Sequence, residues 1–327
     1  MVDAALTEAL AAQDKSSSVR RFGRGDVFFR MLTMIAALAV VLVFIGVLIA
    51  LVQGAWPSID KFGLGFLTSE KWSPVKEQFG ALGPIYGTVV TSILAMIVAV
   101  PIGIGIAIFL TEICPRTLRR PIGIAIELLA GIPSIIYGIW GLFVFAPMFQ
   151  ETLQPILISI FQDVPYLQDL FAGPPYGVGV FTASLILSVM ILPFISAVTR
   201  DVFETVPPHL KEAAYALGCT KAEVMWRVVL PFTRVGVVGG AMLALGRALG
   251  ETMAVTFVIG NAHRIHTSLF EMGTTISATI ASEFTEADGE LYRSAQIELA
   301  LVLFAITFIV LALAQLSLRA LERRAGG

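Results

Sequence analysis

Six stretches of this 327-residue chain are each long and apolar enough to cross a lipid bilayer. A helix that spans the hydrocarbon core needs about 20 mostly apolar residues. Hydrophobic residues make up 57% of the chain, whereas soluble domains carry roughly 45–50% even when glycine is counted. We therefore predict an all-α membrane protein with six transmembrane helices, near residues 28–52, 84–110, 122–147, 177–198, 236–260 and 295–318.

The basic residues fall mainly on one side of these spans. Five lie in the N-terminal tail, three follow the second span, five follow the fourth, and three lie in the C-terminal tail, whereas the opposite loops hold three, none and two. Cytoplasmic loops carry the excess of Lys and Arg. We therefore expect both termini to be cytoplasmic, with tails at 1–27 and 319–327, a transmembrane domain at 28–318, and a cytoplasmic loop at 199–235.

Prolines interrupt three of the predicted spans. Pro133 lies near the middle of the third span, and Pro101 and Pro193 lie in the second and fourth. Such positions are found in spans that line a pathway, and they are also found as simple packing kinks. The segment that starts at Leu153 has a short apolar run broken by polar residues and prolines, so we expect it to be external and amphipathic or re-entrant.

The cytoplasmic loop VPPHLKEAAYALGCTKAEVMWRVVLP predicts two short amphipathic helices. The first begins at the two prolines and stops at Gly218. Thr220 and Glu223 have the spacing of a capping box at the start of the second helix, which we expect to end at Pro231. The pair would form a projection at the inner membrane surface.

This loop resembles the EAA loop of ABC-importer permeases. Glu212, Ala213, Ala214 and Gly218 match that pattern, and Val228, Leu230 and Pro231 follow at the expected spacing, with Val where Ile is usual. Within this class the sequence is most similar to the PstC-type phosphate permease subunits. The similarity extends over nearly the whole membrane-embedded part, including ELLAGIPSIIYGIWGLFVFAP and GRALGETMAV.

The resemblance implies a type I ABC importer permease fold in a bacterial plasma (inner) membrane. It implies a second homologous permease subunit, an ATPase dimer that binds ATP and Mg, and an extracytoplasmic phosphate-binding protein, with membrane lipid around the spans and no nucleic acid. The residues agree with this division: a P-loop needs Gly-Lys-Ser/Thr, and the chain contains no Gly-Lys dipeptide. We expect no cofactor and no catalysis in this chain, and we expect Glu212 to contact the ATPase or to fix the loop.

Arg247 and Glu251 lie in the middle of the predicted fifth span. A charge at that depth costs at least about 2.5–3.5 kcal/mol, so Arg247 must face a partner or a wet cavity. The spacing of four residues predicts one helix face for both. Either Arg247 contacts a passing oxyanion while Glu251 neutralises it in the empty pathway, or the two form an internal ion pair that fixes packing. The resemblance favours transport, because this Arg and Glu are associated with it in the phosphate permeases.

The proton carried by phosphate and two further residues bear on the pathway. Phosphate keeps an acidic proton near neutral pH and sulfate has none, so a carboxylate at Glu251 would favour phosphate. Thr252 and Ser134 could supply hydroxyl donors, although both could instead bond back to helix carbonyls.

Other functions remain open from the residues alone. A permease for another oxyanion, sulfate or molybdate, would keep the EAA loop without needing the Arg247 and Glu251 pair. An ion channel would need no ATPase-docking loop, and an intramembrane enzyme would need paired catalytic groups. His263 and His266 have a metal-like spacing, but they lack a third ligand, so we predict no metal site.

Overall fold

The computed structural model describes residues 2–325, with the side chains of residues 25–319. Helices account for the architecture, and the described residues contain isolated β-bridges but no strand. The longer helices are Val2–Phe62, Leu82–Ile113, Arg116–Ala130, Ser134–Phe161, Val180–Glu204, Pro208–Ala216, Lys221–Leu249, Met253–Ile259, Ile276–Glu283 and Glu290–Ala325. Short helical turns lie at Gly65–Thr68, Pro74–Lys76, Leu167–Leu170 and Phe284–Glu286.

Six helices in the described part of the chain are long and apolar enough to cross a membrane, which confirms the predicted number. They are Gly25–Phe62, Leu82–Ile113, Ser134–Phe161, Val180–Glu204, Lys221–Leu249 and Glu290–Arg319, called spans 1 to 6 below. The chain divides into two compact units, Met1–Gln53 and Gly54–Gly327. The first unit is helical, and the second contains the site. Most side chains of the predicted tails, 1–27 and 319–327, lie outside the described residues.

The third span differs from the prediction at 122–147, because the chain there forms two helices. Arg116–Ala130 ends at Gly131, and a new helix begins at Ser134 immediately after Pro133. Proline has no N–H for the preceding turn and restricts the residue before it, which explains the break. Of the three prolines considered, Pro133 alone breaks its helix, because Pro101 and Pro193 lie inside continuous helices.

The two helices around this break run antiparallel to span 4 along its length. Near one end of span 4, the Gly123 backbone lies beside the Arg200 guanidinium, which pairs with Glu127 at 2.7 Å. Near the other end, Gly141 packs against Ile186. The two helices on either side of the break together therefore cover the same depth as span 4. The helix that starts at Ser134 also continues to Phe161, so part of the segment that we predicted to be external is a continuation of span 3.

The fifth span begins earlier and ends earlier than the predicted 236–260. Pro231 does not end the second loop helix, because a π-helical turn at Met225–Val229 precedes it and the helix continues to Leu249. The wider turn accommodates a residue that has no N–H to donate. At the other end the helix stops at Leu249 and restarts at Met253, which the sequence pattern does not predict.

The apolar core lies among spans 2, 3, 4 and 5. Its fully buried side chains come mainly from span 4 and from the helix that follows the second break, and they include Ile186, Leu187, Ile191, Ile195, Val258 and Ile259. Span 4, buried on most of its surface, is the central helix of this unit.

Candidate functional site

The break between the helices Arg116–Ala130 and Ser134–Phe161 is bridged by a hydrogen bond from a side chain of the second helix. The Tyr137 hydroxyl donates to the Leu129 carbonyl at 2.8 Å, which gives a partner to one of the carbonyls left free at the end of Arg116–Ala130. The Gly131 and Ile132 N–H groups also donate hydrogen bonds, to the carbonyls of Leu128 and Leu129 respectively. The backbone at this depth is therefore largely satisfied within the protein, as a lipid environment requires.

The break between span 5 and the helix Met253–Ile259 separates the two predicted pathway charges. Because the helix ends at Leu249, Arg247 and Glu251 do not share one continuous helix face, and that prediction was wrong. Gly250 ends the helix, and Glu251 bends back so that its Oε1 lies 3.4 Å from the Ala254 N–H. A carboxylate there stabilises the start of the next helix, since the first N–H groups of a helix have no internal partner.

The two breaks are next to each other. A Cβ added to Gly138 would lie 2.9 Å from the Met253 carbonyl oxygen and 3.2 Å from the Ala254 Cα. Gly138 stands one turn after Ser134, and Met253 directly follows Thr252. Since Gly138 allows the two backbones to approach, the helix starts that carry Ser134 and Thr252 meet at one place, and Glu251 lies between span 5 and the helix Met253–Ile259.

Arg247 lies in the last turn before the second break and is exposed on this single chain. Its side chain makes no hydrogen bond to another described residue, and none of the ion pairs within 4.0 Å joins it to Glu251. Leu243, one turn earlier, is also exposed. The guanidinium is therefore open to a molecule that approaches this face of span 5.

The predicted hydroxyl residues differ in their local bonds. Thr252 Oγ1 donates to the Gly250 carbonyl at 3.3 Å, which is the local alternative considered above. Ser134 is half-buried and has no hydrogen bond to the described residues. Ser134 is therefore the freer of the two donors.

The cytoplasmic loop contains the predicted pair of helices. Pro208–Ala216 is followed by Gly218 in a left-handed conformation with φ of +84°, and Thr220 and Glu223 form the predicted capping box. We call residues 208–224 the coupling element. Ala214 is buried in the apolar cluster beneath it, whereas Glu212, Ala213 and Gly218 are exposed.

Sequence reasoning missed a cluster at the opposite end of the molecule. Glu283 accepts hydrogen bonds from Trp72 Nε1 at 2.8 Å and Tyr292 Oη at 2.6 Å, and its Oε1 lies 2.8 Å from His263 Nε2. Trp72 stacks on the His263 ring with centroids 4.9 Å apart. Burial disfavours the charged carboxylate, but the three partners outweigh it and lower the pKa of Glu283. His263 thus has a structural partner, and the described residues contain no group of three metal-ligating side chains.

Known proteins resemble this chain over nearly its whole length. The family model "Binding-protein-dependent transport system inner membrane component" matches residues 99–327. The phosphate transport system permease protein PstC of Mesorhizobium japonicum is 61% identical, covering 98% of this chain and 99% of that protein. The protein of the same name from Pasteurella multocida is 56% identical, covering 92% and 94%. The chain belongs to the PstC-type permease family. It is a multi-pass inner membrane protein.

Solved structures of other importers have the same permease fold. A bacterial alginate ABC transporter in complex with a pentasaccharide-bound periplasmic protein gives a TM-score of 0.59 at 18% identity, over 88% of this chain and 94% of that one. The MetNI methionine ABC transporter, in an inward-facing conformation, gives 0.51 at 17% identity, over 74% and 94%. At these identities the likeness concerns the fold alone.

In this PstC-type permease the predicted pathway residues lie around the two breaks. Arg247 and Glu251 do not share a helix face as predicted. The structure also reveals ion pairs that spacing could not show, because their members are far apart in sequence: Glu112 and Lys211 are separated by 99 residues. The one available signal is charge, since Glu112 is an acid at the end of a span whose neighbouring loops are basic. That charge pattern does not identify Lys211 as the partner of Glu112.

Proposed function

We propose that this chain is one of two permease subunits of an ATP-driven importer that moves inorganic phosphate into the cytoplasm. The relatives that cover nearly its full length are phosphate transport system permeases. The observation that carries the proposal is the exposed Arg247, which has no partner among the described residues although it lies in a membrane span. Intramembrane charges that face a pathway are functional by default.

Arg247 supplies what a tetrahedral oxyanion needs at this depth. Its guanidinium carries a positive charge and presents several N–H donors in a plane, which suits two phosphate oxygens at once. The Ser134 hydroxyl is a neutral donor at the adjoining break. As the anion reaches the breaks, we expect it to exchange water for these donors, which lowers the cost of leaving water.

Glu251 acts on the proton that distinguishes phosphate from sulfate. Its carboxylate can accept a hydrogen bond from a phosphate hydroxyl, whereas a fully ionised sulfate would meet only repulsion. The Ala254 N–H donates to Glu251 Oε1 at 3.4 Å, which is a long contact. The other carboxylate oxygen of Glu251 is left to accept the phosphate proton. Glu251 therefore contributes selectivity, while Arg247 contributes affinity for either anion.

The second homologous permease would cover the face that carries Leu243, Arg247 and Met253, all exposed on this chain. The pathway would lie between the two subunits. A separate ATPase dimer binds ATP and Mg, and an extracytoplasmic binding protein delivers phosphate; both termini and the coupling element are cytoplasmic. Glu212, Ala213 and Gly218 form the surface offered to the ATPase, and the buried Ala214 attaches that surface to the spans.

The test is ATP-dependent uptake of labelled phosphate and sulfate into vesicles that contain the complete complex. Arg247→Gln should abolish most uptake, because the anion loses its charged donor. Arg234→Gln is the matched control, since Arg234 is an exposed arginine nearer the start of the same helix. Glu251→Gln should reduce phosphate uptake and narrow the preference over sulfate while the complex still assembles.

Two results would overturn the proposal. Equal uptake of sulfate and phosphate by the wild-type complex would assign the permease to oxyanions in general. Full phosphate uptake by the Arg247→Gln variant would show that transport does not need the charge of Arg247. A structural role for the arginine would then be the better account.

A further inference from the structure

The coupling element is attached to the end of span 2 by two lysines. Lys211 Nζ lies 2.6 Å from Glu112 Oε1, and Lys221 Nζ donates to the Glu112 carbonyl oxygen at 3.3 Å. Lys211 belongs to the helix before the Gly218 turn and Lys221 to the helix after it. Both arms of the element therefore meet at one residue of span 2.

This ion pair differs from an ordinary surface pair. The Lys211 and Glu112 side chains are only 21% and 13% exposed, whereas the Lys61–Glu77 pair is 46% and 66% exposed and 3.3 Å long. Removing one member of a shielded pair leaves the other charge without compensation, while exposed pairs contribute little. Burial and the nearby negative charge of Glu112 also raise the pKa of Tyr215, which places that side chain in the same electrostatic environment.

Span 2 connects this attachment to the opposite face of the protein. Its helix, Leu82–Ile113, has 32 residues and is about 48 Å long at 1.5 Å per residue. At its far end, a Cβ on Gly83 would lie 3.2 Å from the His263 carbonyl oxygen, and Gly87 touches the Thr274 backbone. One continuous helix thus contacts the coupling element at one end and the loop 260–275 at the other.

We propose that the Glu112–Lys211 ion pair is a positioning contact that transmits displacement of the coupling element to span 2, and through span 2 to the loop 260–275. This inference rests on the proposed coupling to an ATPase. The apolar cluster under Ala214 includes residues from several spans and gives the element no single direction. The ion pair adds a link that is specific to span 2, beside the direct continuation of the element into span 5. Glu212, which the sequence favoured, lacks a described partner and faces outward.

The test is the number of phosphate ions taken up per ATP hydrolysed by the whole complex in proteoliposomes. Lys211→Glu and Glu112→Lys should each lower this ratio by at least about fivefold, which is the lower end of ordinary coupling between sites. ATP hydrolysis itself should continue. The double variant Glu112→Lys with Lys211→Glu restores opposite charges and should recover most of the ratio. Lys61→Glu, which breaks the exposed pair, is the matched control.

A merely structural role would lower uptake and hydrolysis together, so the ratio separates the two. If the charge-reversed proteins fail to assemble, Lys211→Arg and Lys211→Met provide the comparison: the arginine variant should keep the ratio and the methionine variant should lose it. Equal ratios for these two, or no recovery in the double variant, would overturn the inference. If the wild-type complex carries another oxyanion instead, the substrate proposal fails, and the same ratio measured with that oxyanion still tests the ion pair.

Discussion

The Tyr137 hydroxyl donates a 2.8 Å hydrogen bond to the Leu129 carbonyl across the break that divides the third crossing of the membrane. Tyr137 is 7% exposed, so water does not replace this bond when it is lost. The Leu129 carbonyl also accepts from the Ile132 N–H at 3.3 Å, which means that it keeps one partner. We therefore expect Tyr137→Phe to lower the free energy of unfolding by about 0.5–1.5 kcal/mol, the net value of one bond.

Chemical unfolding of the purified permease in detergent would measure this loss. Tyr86→Phe is the matched control, because the Tyr86 hydroxyl makes a longer bond of 3.3 Å to the His266 carbonyl. An equal or larger loss at Tyr86 would contradict the assignment of Tyr137 to the break.

The contact between the two breaks predicts that Gly138 tolerates no larger residue. A Cβ there would lie 2.9 Å from the Met253 carbonyl oxygen, a backbone atom that cannot move aside alone. We expect Gly138→Ala to destabilise the permease by about 1–3 kcal/mol through overpacking. Gly105→Ala is the control, because nothing lies within 4 Å of that position and alanine favours a helix interior. In thermal unfolding, Gly138→Ala should melt at a lower temperature than the wild type and Gly105→Ala at a higher one.

Glu283 should make stability depend on pH in the acid range. Its pKa is lowered from the ordinary value of 4.5 by hydrogen bonds that overcome its burial, so the folded state binds this proton less readily than the unfolded state. The stabilisation is therefore complete above about pH 5.5 and is lost as the pH falls through the lowered folded-state pKa. Unfolding curves of the wild type and Glu283→Gln should converge as the pH falls. Glu77→Gln, which removes a carboxylate from an exposed ion pair, is the matched control.

The Gly218 turn predicts a ranking of substitutions. Its φ of +84° is available to glycine and, less readily, to asparagine, while a β-branched residue is strained there. The surrounding space is open, so strain rather than contact decides the outcome. ATP-driven uptake should decrease in the order Gly218, Gly218→Asn, Gly218→Val. Equal uptake by the two variants would mean that the turn conformation is unimportant for coupling.

Features set by local chemistry were predictable from the sequence. The apolar stretches predicted six spans, and Thr220 and Glu223 predicted the capping box. Pro133 marks a break, but Pro101 and Pro193 gave the same signal inside continuous helices. The second break was not predictable, because Gly250 inside an apolar run is compatible with a continuous helix and tertiary contacts at Gly138 decide otherwise. The contacts of Glu112 and Glu283 depend on which spans are neighbours, and helix periodicity within one segment carries no information on that.

The open guanidinium of Arg247 has a consequence for biogenesis. If the proposed second permease covers this face, a subunit inserted into the bilayer alone would present an uncompensated cation to lipid, which is unfavourable. Orphan copies should therefore be short-lived because membrane proteases remove them, and cells would need matched synthesis of the two proposed subunits.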